Sequence, residues 1–139
     1  GDPGASMLFG GQIAGEVHCL FLIYSAGNFI QATPDTCYLQ VGELKYGKPI
    51  LDRAFRHGVT TMADAVKLSL LSFDATVRSN LSVAPPFDMI CYRANSLEAV
   101  QIRRFEKNDP YYSDVRRNYS RSLRESVSSL PVIDWPGVI

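Results

Sequence analysis

The turn over residues 42–50, Gly-Glu-Leu-Lys-Tyr-Gly-Lys-Pro-Ile, constrains the fold of this 139-residue chain more than any other stretch. The residues before it, 37–41, combine aromatic and β-branched side chains with polar ones, which predicts a strand. Pro49 suits the first turn of a helix, where its missing N–H would be unpaired in any case. Gly42 and Gly47 allow backbone angles that a Cβ forbids. The sequence therefore predicts a strand-to-helix turn that presents N–H donors and charges of both signs, although an ordinary connection with solvated charges has the same pattern.

Three further strands are predicted before this turn. Residues 7–14 and 17–24 are apolar runs joined at a Gly-Glu pair, and residues 29–32 follow a second turn that contains Gly and Asn. Strands so close in sequence pair as antiparallel neighbours. The part of the chain before residue 42 is therefore expected to form four strands, of which 37–41 is the last.

Three helices are predicted after the turn. A short one covers 49–56, a long one is capped by Thr60-Thr61 with Asp64 able to reach back as a loose capping box, and Asp109-Pro110 opens the last. Apolar residues recur at intervals of three and four along both long helices, which predicts one buried stripe on each. The stripes comprise Met62, Val66, Leu70, Phe73, Val77 and Leu81 in the first, and Tyr112, Val115, Tyr119, Leu123, Val127 and Leu130 in the second.

Two more strands, over 87–92 and 99–105, are predicted between the long helices. The proline-broken tail over 131–139 is apolar, with Trp135 as its candidate anchor. The predicted order is thus ββββααββα. Antiparallel strands with a segregated helical layer define an α+β fold class.

Four segments carry a resemblance to a known family when they are taken in order. They are 21–36, 42–53, 68–74 (Leu-Ser-Leu-Leu-Ser-Phe-Asp) and 79–83 (Ser-Asn-Leu-Ser-Val). The chain resembles Anbu, the bacterial proteasome homologue, a relative of HslV and of the proteasomal β-subunits. The resemblance runs from about residue 8 to about residue 92, with a looser tail beyond, and it is to the second half of that family.

The resemblance implies that residues 1–139 are a single partial domain, the C-terminal half of an αββα four-layer sandwich. Members of this class attack with the hydroxyl or thiol of their first residue, whose α-amine acts as the base. In the family that nucleophile, its aspartate and its lysine all precede the matched region, and residue 1 here is glycine. We therefore expect no catalytic residue in this chain and no activity from it alone. For the family protein, the resemblance implies peptide-bond hydrolysis of polypeptide substrates by a ring or spiral of identical copies.

Four residues are candidates for active-site support, namely Glu43, Lys45, Ser79 and Ser82. The resemblance places Glu43 where proteasome-like folds carry the serine of a Gly-Ser-Gly turn. Ser82 matches the serine of an Asp-x-x-Ser pair that orients the amine, and Ser79 stands at its aspartate position. The Glu43 carboxylate suits binding of a protonated amine, or pairing with Lys45 or Lys48, or simple solvation near a helix start. The two serines also suit capping of loose carbonyls at a helix end.

Composition and charge exclude several other classes of protein. With 46% hydrophobic and 20% charged residues the chain is globular, and no apolar run reaches the roughly 18 residues of a membrane span. Lys+Arg and Asp+Glu are equal at 14, so neither membrane nor nucleic acid is an expected partner. Cys19, Cys37 and Cys91, together with His18 and His57, lack zinc-ligand spacing. We expect buried free thiols, no metal, no cofactor and a cytoplasmic location.

Three functions stay open on the sequence. The first is a proteasome-type peptidase subunit that assembles with copies of itself. The second is an assembly or interaction module of the same fold without activity. The third is an unrelated α+β enzyme that uses a thiol such as Cys19. Because half of a two-sheet sandwich leaves a sheet face and an edge strand exposed, the isolated chain is not expected to be a stable monomer.

Overall fold

The computed structural model describes residues 4–137, except the side chains of 99–101. It confirms the α+β class. The elements are β1 (Met7–Gly11), β2 (Cys19–Ile23), β3 (Phe29–Gln31), α1 (Lys48–Ala54), α2 (Met62–Ser79), β4 (Phe87–Tyr92), β5 (Ala99–Phe105) and α3 (Pro110–Ser128). The strands form two antiparallel sheets, one in the order β1-β2-β3 and one that pairs β4 with β5.

The first sheet is shorter than the sequence predicts. β1 ends at Gly11 rather than at residue 14, and β2 begins at Cys19. Gly15 has a φ of 84° in the connection, which is the left-handed conformation that glycine adopts without steric cost. The register places Phe9 opposite Phe21 on one face, while Leu22 points to the other face and is buried.

The fourth predicted strand, over 37–41, is wrong for the described part of the chain. These residues lie outside any strand, and none of their backbone groups bonds to another backbone group between residues 4 and 137. Side chains hold the segment instead, because Tyr38 donates to Asp52 of α1 and Gln40 Nε2 donates to Ser72 Oγ of α2 at 3.3 Å. A strand needs a partner for its N–H and C=O groups. The order of the described elements is therefore βββααββα.

The second sheet forms at the predicted bounds. β4 and β5 are antiparallel, with Phe87 opposite Phe105 at one end, and the register shifts between Cys91 and Tyr92. Phe87 and Phe105 point towards the long helices and are buried. This sheet and the long helices therefore share one core.

Both predicted helix caps are confirmed. The Thr61 hydroxyl accepts from the Asp64 N–H at 3.1 Å, which is the N-cap bond. It also donates to the Asp64 carboxylate at 2.9 Å, in place of the backbone N–H that a full capping box would use. At the start of α3 the Asp109 carboxylate accepts from the Tyr112 N–H at 2.9 Å. The α1 helix, predicted over 49–56, is found at Lys48–Ala54 with its proline in the first turn.

The centre of the core lies between α2, α3 and the second sheet. Leu70, Phe87, Phe105 and Tyr112 form it, and three of them are almost fully buried. The Phe87 ring meets the Tyr112 ring edge to face, with centroids 5.7 Å apart. Each long helix therefore buries part of its predicted stripe here.

The outer parts of both stripes are exposed, which corrects the prediction. Residues Met62, Phe73, Tyr119, Leu123, Val127 and Leu130 are exposed, as is Leu81, which lies beyond the end of α2. Trp135 is 62% exposed and does not anchor the tail. The periodicity is correct, but burial needs packing on several sides. Within residues 4–137 these positions stay exposed, even Phe73, whose ring stacks on Phe87 with centroids 4.7 Å apart.

The exposed surface is large for a chain of this mass. Its accessible area is 10497 Å², whereas a folded monomer of the same 15.4 kDa exposes roughly 7,200 Å². Apolar sheet faces contribute to the difference, because Phe9 on the first sheet is 59% exposed and Ile102 on the second is 71% exposed. None of the helices described between residues 4 and 137 is long and apolar enough to cross a membrane.

Candidate functional site: the Glu43–Asn80–Ser82 network

The turn that the sequence singles out is held against α2. Gly42 has a φ of 90°, so this position favours glycine for its backbone angle. Gly47 has an ordinary φ of −92°, and its constraint is space. A Cβ built on Gly47 would lie 2.2 Å from Ser72 Oγ and 2.8 Å from the Ser72 carbonyl oxygen. The turn therefore needs glycine twice, for two different physical reasons.

Glu43 is half-buried in this turn and both of its carboxylate oxygens are bonded. Oε1 accepts from the backbone N–H of Lys45 at 3.0 Å. Oε2 accepts from Asn80 Nδ2, at the end of α2, at 3.3 Å. The carboxylate is thus held by two donors from separate parts of the chain, which fixes its position relative to the helix end.

Ser82 is tied to the same network through Asn80. Asn80 Oδ1 accepts from the Ser82 backbone N–H at 2.9 Å and from the Ser82 hydroxyl at 2.7 Å. The Asn80 carboxamide therefore uses its NH₂ group for Glu43 and its oxygen for Ser82. Two of the four predicted support residues, far apart in the sequence, are brought together by a residue that the prediction did not select.

The other two support residues lie outside this network. Ser79 is the last residue of α2, is exposed, and makes no side-chain hydrogen bond among the described residues. Lys45 contributes its backbone N–H to Glu43, while its exposed side chain pairs with no carboxylate between residues 4 and 137. Lys48 does not pair with Glu43 either, because it pairs with Asp52. The roles of all four remain predictions.

The chemical groups of this network are suited to binding a cation. Glu43 supplies a negative charge that forms no ion pair within the described residues, and Ser82 supplies a hydroxyl oxygen that keeps an accepting lone pair. The C-terminal end of α2, which carries the negative end of the helix dipole, lies beside them. A protonated amine is the kind of group that these three features stabilise together.

An apolar cleft of about 460 Å³ adjoins Glu43. Its wall includes Leu39, Val41, Phe73 and Val83, and the 37–41 segment without backbone partners forms one side. Gln40 lines the cleft, and its buried Oε1 atom has no hydrogen-bond partner among residues 4–137. The cleft thus joins apolar walls to backbone and side-chain groups that can still form hydrogen bonds, as a segment of polypeptide requires.

A second polar cluster, on the other side of the 37–41 segment, was not predicted. Lys48 Nζ lies 2.7 Å from Asp52 Oδ2, and the Tyr38 hydroxyl donates to the same carboxylate. The hydrogen bond from Lys48, followed by that from Tyr38, lowers the pKa of Asp52. Burial, followed by the bond to Asp52, raises the pKa of Tyr38. The i,i+4 spacing of Lys48 and Asp52 was visible in the sequence, but the approach of Tyr38 was not.

The histidines and cysteines form no site among the described residues. His18 and His57 are exposed, and Cys19, Cys37 and Cys91 are free thiols that are half-buried rather than fully buried as predicted. Between residues 4 and 137 no group of three His, Cys, Asp or Glu side chains is placed to hold a metal ion.

Solved structures of known proteins resemble this chain closely. No protein-family model and no curated protein matches the sequence. Anbu from Hyphomicrobium sp. strain MC1 is 45% identical with a TM-score of 0.86, over 92% of this chain and 55% of that one. Anbu, the ancestral beta-subunit, from Yersinia bercovieri is 43% identical with a TM-score of 0.86, over 92% and 54%. A helical assembly of the Anbu complex from Pseudomonas aeruginosa contains a chain that is 45% identical with a TM-score of 0.85, over 96% and 55%.

The fold is therefore that of a proteasome-type subunit, of the ancestral β-subunit class. The chain belongs to the Anbu family, as its sequence indicated, and spans about half the length of the members that it matches, their C-terminal half. An unrelated fold that uses the Cys19 thiol, the third possibility left open by the sequence, is thereby excluded.

Proposed function

We propose that this chain is the C-terminal half of a proteasome-type peptidase subunit with an N-terminal nucleophile, which assembles with copies of itself and cleaves polypeptides. The observation that carries the proposal is the joining of Glu43 to Ser82 through Asn80. In this reading the network holds the α-amine of the nucleophile residue, which the other half of the subunit supplies. The amine then accepts the proton of the attacking group.

The large exposed surface supports the proposal that further layers of a sandwich fold cover this chain in the complete subunit. The excess over a monomer of this mass is roughly 3,300 Å², more than the roughly 800 Å² that each partner buries in an interface of standard size. The segment 37–41 has unpaired backbone groups beside an apolar cleft. In the proposed αββα sandwich, a strand from the other half pairs with this segment and covers the cleft. This would restore the fourth strand that the sequence predicts.

Self-assembly is proposed by analogy with the relatives. The Pseudomonas aeruginosa relative forms a helical assembly. The exposed apolar residues of α3, among them Leu123 and Val127, offer a surface that contacts between subunits would bury. In this proposal the subunit works in the cytoplasm, without a cofactor.

A second candidate function is an inactive assembly module of the same fold. Two departures favour it, because Glu43 replaces the serine expected in the turn and Ser79 replaces the expected aspartate. Glu43 nevertheless supplies a carboxylate in place of the missing aspartate, and Asn80 links it to the Ser82 hydroxyl. The peptidase is therefore the preferred reading.

The test is covalent labelling of the full-length subunit with an inhibitor that reacts with N-terminal nucleophiles, such as a peptide epoxyketone. Intact mass and peptide mapping report whether the adduct is on the first residue of the mature subunit. The proposed peptidase gives that adduct, and the Glu43→Gln variant gives it more slowly. The exposed Glu106→Gln variant is the matched control and should label at the wild-type rate.

A subunit that is folded and assembled but unreactive at its first residue would overturn the peptidase proposal. The inactive assembly module would then be the better reading.

A further inference from the structure

We infer that Asn80 is the positioning residue of the amine site, where it holds the Glu43 carboxylate and the Ser82 hydroxyl in one arrangement ready for a cation. This inference rests on the proposed function and goes beyond it, because neither the sequence pattern nor the resemblance pointed to Asn80. The cation is a protonated primary amine, the α-amine of the subunit's first residue. Asn80 acts on it through its two neighbours.

The position of Asn80 follows from the way α2 ends. Ser79 is the last helical residue, and Asn80 is the C-cap, with φ −138° and ψ 114°. Its N–H still donates to the Thr76 carbonyl at 2.8 Å, so the residue is fixed to the helix while the chain turns away. The change of direction sends the Asn80 side chain towards Glu43 and leaves Ser79 facing solvent. The residue that reaches the site is thus one place later than the expected aspartate position.

The carboxamide suits this role better than a carboxylate or a hydroxyl. It donates to Glu43 and accepts from Ser82 at the same time. An aspartate at position 80 would repel Glu43, and a serine would reach only one neighbour. Because the amide is neutral, the site carries its single negative charge on Glu43.

Within residues 4–137 no neighbouring Lys or Arg side chain forms an ion pair with the Glu43 carboxylate. Arg78, two residues before Asn80, pairs with Asp74 at 2.9 Å. Lys48 pairs with Asp52, and Lys45 approaches Glu43 through its backbone N–H. The Ser82 hydroxyl donates to Asn80, so its remaining lone pairs are free to accept. The Glu43 carboxylate and the Ser82 hydroxyl therefore lie together at the C-terminal end of α2, where all three features favour a bound cation.

The experiment measures the pKa of the N-terminal α-amine in the full-length subunit, from the pH dependence of its acylation rate in competitive labelling. A nearby carboxylate raises the pKa of an amine, so Glu43→Gln is expected to lower it by about 1 pH unit. Asn80→Ala keeps the carboxylate but removes the donor that holds its Oε2 atom, and is expected to cause at least about half of that change. Asn118→Ala, on the exposed side of α3, is the matched control and should leave the amine unchanged.

The outcomes separate the inference from the proposed function. If Glu43→Gln lowers the pKa of the amine and Asn80→Ala does not, the positioning role of Asn80 is overturned while the amine site stands. If neither variant changes it, the amine does not bind here, and the amine site and the positioning role of Asn80 are both overturned. The peptidase proposal is then decided separately, by labelling of the first residue. Thermal melts distinguish a structural effect, since a purely structural Asn80 changes stability without moving the pKa of the amine. Should Asn80→Ala fail to fold, Asn80→Ser takes its place with the same criteria.

Discussion

The Tyr112 hydroxyl of α3 donates a hydrogen bond to the Asp74 carboxylate of α2, with the two oxygens 3.3 Å apart. Asp74 is buried and also pairs with Arg116 at 2.6 Å and Arg78 at 2.9 Å. A buried carboxylate is tolerated when it is paired and hydrogen-bonded in this way. The contact joins the two long helices beside the Phe87 ring, which meets the Tyr112 ring edge to face.

Loss of the Asp74 carboxylate should be costly. Asp74→Ala leaves the Arg116 guanidinium, which is itself about two-thirds buried, without its partner. We expect the free energy of unfolding to fall by about 3 kcal/mol, as measured by urea denaturation. Asp114→Ala, which removes an exposed carboxylate paired with Arg117, is the control and should cost less than about 1 kcal/mol. Equal losses in the two variants would contradict the burial argument.

Alkaline stability should depend on Tyr112. Burial, followed by the Asp74 charge, raises the pKa of Tyr112 from 10.0 to about 12. The unfolded chain therefore loses this proton first, and stability falls as the pH rises from about 10 to about 12. The loss for this group is on the order of 2 kcal/mol. Denaturant unfolding at a series of alkaline pH values should show a shallower decline for Tyr112→Phe than for wild type, whereas Tyr119→Phe should follow wild type.

The α3 cap predicts the opposite dependence at acid pH. The hydrogen bond from the Tyr112 N–H lowers the pKa of the Asp109 carboxyl, burial raises it, and the hydrogen bond from Arg103 lowers it again. The net result is a pKa below the ordinary 3.8. The stability that the charged cap provides is present above that value and is lost as the pH falls through the lowered pKa. Asp109→Ala should cost about 1 kcal/mol near neutral pH. The difference between wild type and variant should close in strong acid, and a constant difference would refute the assignment.

The lack of room for a side chain at Gly47 leads to a steric prediction. Because a Cβ there meets Ser72 while φ is ordinary, Gly47→Ala should destabilise through a clash alone. The expected loss is about 1 to 3 kcal/mol in urea unfolding. Gly11→Ala is the matched control, since its Cβ would have no neighbour within 4 Å. An unchanged midpoint for Gly47→Ala would mean that the turn moves away from α2 at little cost.

The isolated 139-residue chain should associate. Its apolar sheet faces, with Phe9 59% exposed and Phe29 63% exposed, are an aggregation liability. Sedimentation velocity is expected to show masses that rise with protein concentration, and Phe9→Ser with Phe29→Ser should reduce the effect. A dilute, monodisperse monomer with a sharp two-state melt would contradict this prediction.

Local signals in the sequence determined much of the fold. Thr61 with Asp64, and Asp109 before Pro110, mark the starts of both long helices because a cap bonds to residues only two or three places away. The bounds of β4 and β5 followed from composition and turn residues in the same way. The Anbu resemblance was also visible in the sequence, because it depends on the order of residues and not on their contacts.

Only the tertiary structure decided which predicted elements find partners. The 37–41 segment has the composition of a strand, yet a strand exists only where another backbone pairs with it, and none does between residues 4 and 137. The same holds for Asn80, which reaches Glu43 and Ser82 because α2 ends one residue earlier and the chain turns. The sequence specifies short-range preferences, whereas pairing and burial depend on the meeting of residues distant along the chain, which only the packed molecule determines.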